Sequence, residues 1–136
     1  MKSTLLFVSF LAGFSAFGQT WSGDVAQIFF NKCTKCHHTG GIAPTSYMSY
    51  NEVSPMSAAI YDAVNQGHMP PWPPDNNYQQ YVHDRSLSAA EKTMILDWIL
   101  AGFPEGVAAN TPPAPVYTSS TILGNGDLTV QMPTYM

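Results

Sequence analysis

The run Cys33-Thr34-Lys35-Cys36-His37 constrains this chain more than any other five residues. Two thiols separated by two residues, with a histidine directly after the second, form the attachment signature of a c-type haem. The order has a geometric reason. One turn of chain spaces the two sulfurs for thioether bonds to the two vinyl groups of one porphyrin. The next side chain, His37, then points at the iron as proximal ligand. The chain has only these two cysteines, and both lie in the motif.

The same residues have two rival readings. A tetrahedral zinc site could combine Cys33 and Cys36 with two of His37, His38, His68 and His83. No histidine pair follows at finger-like spacing, however. A redox-active Cys-x-x-Cys expects a strand-helix-strand context that the sequence lacks. One covalent haem c is the cofactor the motif favours.

Residues Met1 to Gly18 read as a secretory signal peptide. Lys2 opens it, Leu5 to Phe17 is almost wholly apolar, and Ala16-Phe17-Gly18 offers small residues for cleavage. The run falls short of the roughly 20 apolar residues of a spanning helix, so stable membrane insertion after cleavage is not expected. No cysteine follows it to carry a lipid. Covalent haem attachment in bacteria occurs outside the cytoplasm, so a periplasmic or secreted location agrees with the motif. Without residues 1–18 the chain keeps 118 residues, enough for one small domain, and its formal charge moves from -4 to -5. With no basic patch beyond Lys32 and Lys35, nucleic acid is a poor partner.

Three helices are predicted. The first spans about Asp24 to Lys35, with Ser22 as N-cap and Val25, Ile28 and Phe29 on one face. The second takes Ser54 as N-cap and Pro55 as first helical residue, and ends at Gly67; Met56, Ile60, Ala63 and Val64 form its stripe. The third opens on Ser88 and Glu91 as a capping box, buries Met94, Ile95, Trp98 and Ile99, and ends at Gly102 and Pro104.

Between the second and third helices, Met69-Pro70-Pro71-Trp72-Pro73-Pro74 forms a loop stiffened by proline. Met69 is the preferred distal ligand, because it follows a helix stop, sits on the proline-stiffened loop and lies downstream of His37; a thioether there would favour ferrous iron. His68 is its competitor and would give a low-potential bis-histidine iron. His38 and His83 are read as solvated or hydrogen-bonded surface groups, and Trp72, Tyr81 and Trp98 as pocket or core aromatics. Arg85, the only arginine, either pairs with a haem propionate or stays solvated. The Pro44 carbonyl is spaced to accept the His37 ring proton and so fix the ring.

The series Cys33-x-x-Cys36-His37, Ala43-Pro44, Gly67-His68-Met69-Pro70-Pro71-Trp72, Asp84-Arg85-x-Leu87-Ser88 and Trp98-x-x-x-Gly102-x-Pro104-Glu105-Gly106 resembles a known family. It is similar to the exported bacterial cytochrome c domain found in front of copper type II, ascorbate-dependent monooxygenase-like domains. The resemblance covers about Val25 to Pro115. It implies an all-α, class I-like cytochrome c fold, with three main helices around one covalent haem and His37 and Met69 as axial ligands. The tail from Gly124 to Tyr135 is similar to the opening strand of the copper domain, but that domain's copper ligands are absent.

The domain plan expected is therefore a leader at 1–18, a haem domain at 19–106, a Pro/Ser/Thr-rich linker at 107–120, and at 121–136 the start of a truncated β domain or a disordered tail. Residues beyond Gly106 are expected to add little stability. The function expected is single-electron transfer to a redox partner protein or a fused copper oxidoreductase domain, without catalysis by this domain. A haem enzyme module, oxidoreductase or peroxidase-like, with a displaceable distal ligand is the competing class.

Overall fold

The helix is capped two residues before Ser22, at Thr20. The Thr20 hydroxyl accepts the Gly23 N–H at 3.1 Å, and the Asp24 carboxylate accepts the Thr20 N–H at 3.1 Å, a reciprocal cap. The Val25 N–H reaches the Thr20 carbonyl, five residues back, at 3.2 Å. That makes Trp21–Val25 a wide π-helical turn leading into α1 (Ala26–Lys32). Ser22 is buried inside this turn and is not the cap. Val25, Ile28 and Phe29 are buried as their spacing predicts. In the computed structural model, the described residues are 18–71, 74–75, 77–79, 81–82 and 84–117. The leader reading, except for Gly18, and the β-domain or disordered-tail reading of 121–136 thus lie outside them.

Pro55 does not open a helix. Helix α2 (Tyr50–Val53) precedes it, its first turn fixed by Glu52, whose carboxylate accepts the Met48 N–H at 2.7 Å. Pro55 has no N–H to continue the α ladder, so Ser54–Met56 tightens into a 3₁₀ turn before α3 (Ser57–Asn65). Ser54 accordingly has helical backbone angles and caps nothing. Gly67, at φ +75°, reverses the chain after α3, as expected.

Helix α4 (Ala89–Leu100) starts as the sequence predicts. The Ser88 hydroxyl accepts the Glu91 N–H at 3.2 Å, and the Glu91 carboxylate accepts the Ser88 N–H at 2.7 Å. Its first turn also reaches two other helices. Lys92 Nζ donates to the Asn65 carbonyl at the end of α3 at 2.9 Å, where a cation is favoured. Glu91 lies 4.0 Å from Lys32 at the end of α1. Ile95 and Trp98 are fully buried; Met94 and Ile99 pack at the core's margin.

The core is an aromatic cluster where the Trp21 turn and α1 cross α4. The Trp21 ring lies 5.3 Å from Phe29 and 6.0 Å from both Phe30 and Trp98, at mostly edge-on or tilted angles that suit ring quadrupoles. Val53, Ile60 and Val64 close it from α2 and α3. The described residues contain no strand, and the fold there is all-α.

After Gly102 (φ +88°) the chain folds back on this cluster. The Pro104 carbonyl accepts both the Trp21 backbone N–H and the Trp98 indole N–H, each at 3.0 Å. The Glu105 carbonyl accepts the Ser22 N–H at 3.0 Å. Phe103 has φ +43°, a left-handed conformation costly for a side chain. The Tyr50 hydroxyl holds its carbonyl at 3.2 Å.

The extension at 107–117 is not a free linker. A 3₁₀ turn, Ala108–Asn110, lies against the Trp21 turn. Beyond it, Tyr117 lies on the domain, its hydroxyl 2.9 Å from the Thr34 hydroxyl. The proline-rich composition hides this, because an extended segment can be anchored by one aromatic without any helical stripe.

Gly106 offers a direct check on the seating of the 103–106 segment. Its φ is +77°, and a Cβ there would lie 2.5 Å from the Ser22 hydroxyl and 2.8 Å from Thr20. Gly106→Ala should lower unfolding free energy by about 2 kcal/mol or more, from left-handed strain plus the clash. Urea titration measures this. A loss below about 0.5 kcal/mol, the range of an unconstrained surface change, would mean the segment is not seated on the cap.

Candidate functional site

The end of α1 shapes the Cys33–His37 turn. The Cys33 and Thr34 N–H groups both bond the Phe29 carbonyl, at 2.8 and 3.0 Å. The Cys36 and His37 N–H groups then bond the Cys33 carbonyl, at 3.1 and 3.0 Å. This compact turn places Cys33, Cys36 and His37 on one wall of a cavity of about 790 Å³. The size falls in the range of roughly 300–1,000 Å³ typical of small-molecule and cofactor sites.

His37 is held on two sides. Its ring stacks on Tyr47 with centroids 4.3 Å apart and planes 12° apart. Its Nδ1 lies 2.9 Å from the Thr45 carbonyl. A carbonyl can only accept, so Nδ1 carries a proton, and in the neutral ring the lone pair is on Nε2. The acceptor is thus Thr45 and not Pro44; Pro44 lines the cavity instead. The shift by one residue comes from the loop's path. Gly40 has φ +81°, and a Cβ on Gly41 would collide with the Cys36 carbonyl. The Ala43 N–H bonds that same carbonyl at 3.1 Å.

The Cys33 thiol is pushed up to about 12, by burial first and then by the nearby Cys36 and Glu91. It stays neutral across the physiological range. Thiolate attack by Cys33, as disulfide exchange requires, is therefore disfavoured in the unloaded protein. Among the described residues, no three His, Cys, Asp or Glu side chains converge as a metal ion would need. Cys33, Cys36 and His37 share a wall without sharing a focus.

Helix α3 builds another part of the wall with Ala59, Ile60, Ala63 and Val64. After Gly67, the His68 and Met69 N–H groups both return to the Ala63 carbonyl, at 2.8 and 3.1 Å. This reversal separates the two candidate distal ligands. Met69 borders the cavity, at 41% exposure, whereas His68 is exposed and forms no part of its wall. Pro70, Pro71 and Pro74 continue the rim, and Tyr81 and Arg85 lie on it too. Trp72 and His83 lie outside the described residues.

His38 is not a surface group. It is 8% exposed and stacks on Tyr117 with centroids 4.1 Å apart, while its Nδ1 lies 3.0 Å from the Thr39 carbonyl. Thr45, Tyr47 and Tyr117 were not singled out by sequence reasoning. Gly40-Gly41 directly after the motif was the available signal for a tight loop; Tyr117 carried none. No family model, curated protein or solved structure matches the chain.

The raised thiol gives a simple test. In the haem-free protein at pH 8, Cys33 should react with iodoacetamide at least about tenfold more slowly than in the same chain unfolded in guanidinium, since only the thiolate attacks. Peptide mass mapping over time reads the rate. Equal rates would mean that the thiol is not sequestered in the wall.

Proposed function

We propose that this chain is an exported mono-haem c-type cytochrome domain that passes single electrons. The observation that carries the reading is one apolar cavity whose lining includes Cys33, Cys36, His37 and Met69. Cavity size and donor set fit haem c. A haem bound there would supply one-electron cycling between ferric and ferrous iron.

The chain's own residues do the rest. Cys33 and Cys36, both partly buried in the cavity lining, would hold the porphyrin edge through thioethers. His37 presents Nε2 to the metal, its ring fixed by the Thr45 carbonyl and Tyr47; such outer partners set ring orientation and ligand basicity. Met69 offers a soft sulfur, which favours the reduced state and raises the potential. Ile60, Val64 and Ile95, in the cavity lining, would keep water from the iron, and Arg85 would pair with a propionate. The crossing of the Trp21 turn and α1 with α4 supports a class I-like cytochrome arrangement.

The redox partner is a separate protein or, following the family resemblance, a fused copper oxidoreductase domain. Export rests on the signal-like character of Met1 to Gly18. The 41% exposure of Met69 supports a second reading, a haem enzyme module whose distal ligand swings away.

Expression with a c-type haem maturation system, followed by mass measurement and reduced spectra, tests the proposal. Covalent haem should appear in the wild type and be lost with Cys33→Ala plus Cys36→Ala. Met69→Ala should abolish the weak near-infrared band of sulfur-ligated ferric haem and lower the potential; His68→Ala should leave both nearly unchanged. If His68→Ala changes the spectrum instead, the iron is bis-histidine. Rapid carbon monoxide binding by the reduced native protein would replace the carrier reading with the enzyme reading.

A further inference from the structure

Outside the cavity, the described chain ends against the reverse face of the attachment loop. Tyr117 touches three of the residues woven through the motif. Its hydroxyl lies 2.9 Å from the Thr34 hydroxyl, and its ring stacks on His38 at 4.1 Å and 16°. Lys35 Nζ sits 5.9 Å from the ring centroid, within cation–π range. Thr34 and Lys35 are the two residues between the cysteines, and His38 directly follows His37. The side chains on one face of this loop enter the cavity wall, and those on the other meet Tyr117.

The hydrogen bonds have a defined direction. The Thr34 hydroxyl donates its one proton to the Phe30 carbonyl at 2.8 Å. It therefore accepts from Tyr117, which acts as donor. Thr34 is fully buried, and a buried hydroxyl with both roles filled is fixed more firmly than one left half-paired. The contact joins residues 83 positions apart, so it closes a long loop onto a five-residue turn. Four short backbone bonds hold that turn from within; Tyr117 holds it from outside.

We propose that Tyr117 is a positioning residue for the attachment loop. It clamps Thr34 and His38 and thereby fixes the backbone from which Cys33, Cys36 and His37 project. This role rests on the haem reading for its purpose but not for its physical test. The bonds that Tyr117 protects are the Cys36 and His37 N–H bonds to the Cys33 carbonyl. Opening of the loop exposes them to solvent exchange.

Amide hydrogen exchange on the full chain tests the clamp. Tyr117→Ala should accelerate exchange at Cys36 and His37 by about tenfold or more, from loss of a hydrogen bond and an aromatic stack. Amides of α3, Ser57–Asn65, should stay within about twofold of wild type, an allowance for small nonlocal effects. Tyr117→Phe keeps the stack and loses the hydroxyl, so it should accelerate the two loop amides by only about threefold. Should the alanine variant fail to fold, the phenylalanine variant decides alone. In haem-loaded protein, the alanine variant should also move the reduction potential further than the phenylalanine variant does. Unchanged loop exchange, or equal acceleration in α3 and the loop, overturns the proposal. A wild type that carries no haem defeats the cytochrome reading, while the exchange result still decides the clamp.

Discussion

The Pro104 carbonyl joins the two ends of this domain. Its two lone pairs accept from the Trp21 backbone and the Trp98 indole, both at 3.0 Å. One acceptor thus satisfies an otherwise free N–H in the opening turn and the only polar atom of a fully buried ring. An indole N–H left without a partner in such a core costs about 1–3 kcal/mol, so the two tryptophans can be buried together only because this carbonyl is delivered between them. The left-handed pair Gly102 and Phe103 is the backbone cost of delivering it. The same packing bears on the cavity, since α1 leads into the cysteine turn and Ile95 of α4 is in the cavity lining.

The legible parts of the fold were those with local causes. Ser88 and Glu91 form their capping box because both partners lie within one turn, so a four-residue pattern suffices. Gly67 reversed the chain for the equally local reason of its positive φ. Ser22 and Pro55 misled for related reasons. Each has a strong positional preference, but Asp24 reaching back to Thr20 won the first contest. At Pro55 the chain accommodated the missing donor by tightening within a longer helical stretch.

The site shows the same division. The spacing of Cys33, Cys36 and His37 put all three in the cavity lining, and after the reversal at Gly67 Met69 lines the cavity whereas His68 does not. The partner of His37 moved from Pro44 to Thr45, since a carbonyl's direction depends on the loop's full path, including the close approach at Gly41. Tyr117 was invisible to pattern reading. A contact across 83 residues leaves no periodicity, and a proline-rich approach reads as linker. Stiff extended chain is well suited to carrying one anchor over a distance.

The first turn of α4 has a mechanical consequence. Glu91 faces Lys32, the residue before Cys33, and Lys92 bonds Asn65, four residues before Met69. Neighbouring side chains on one capped turn therefore touch the supports of both walls, and that turn acts as a calliper across the gap. The individual contacts are exposed and weak. Their value lies in geometry, because displacement of either support is registered at the same rigid point. One capped helix turn thus links the residue before the cysteine pair to the end of the helix that leads into Met69.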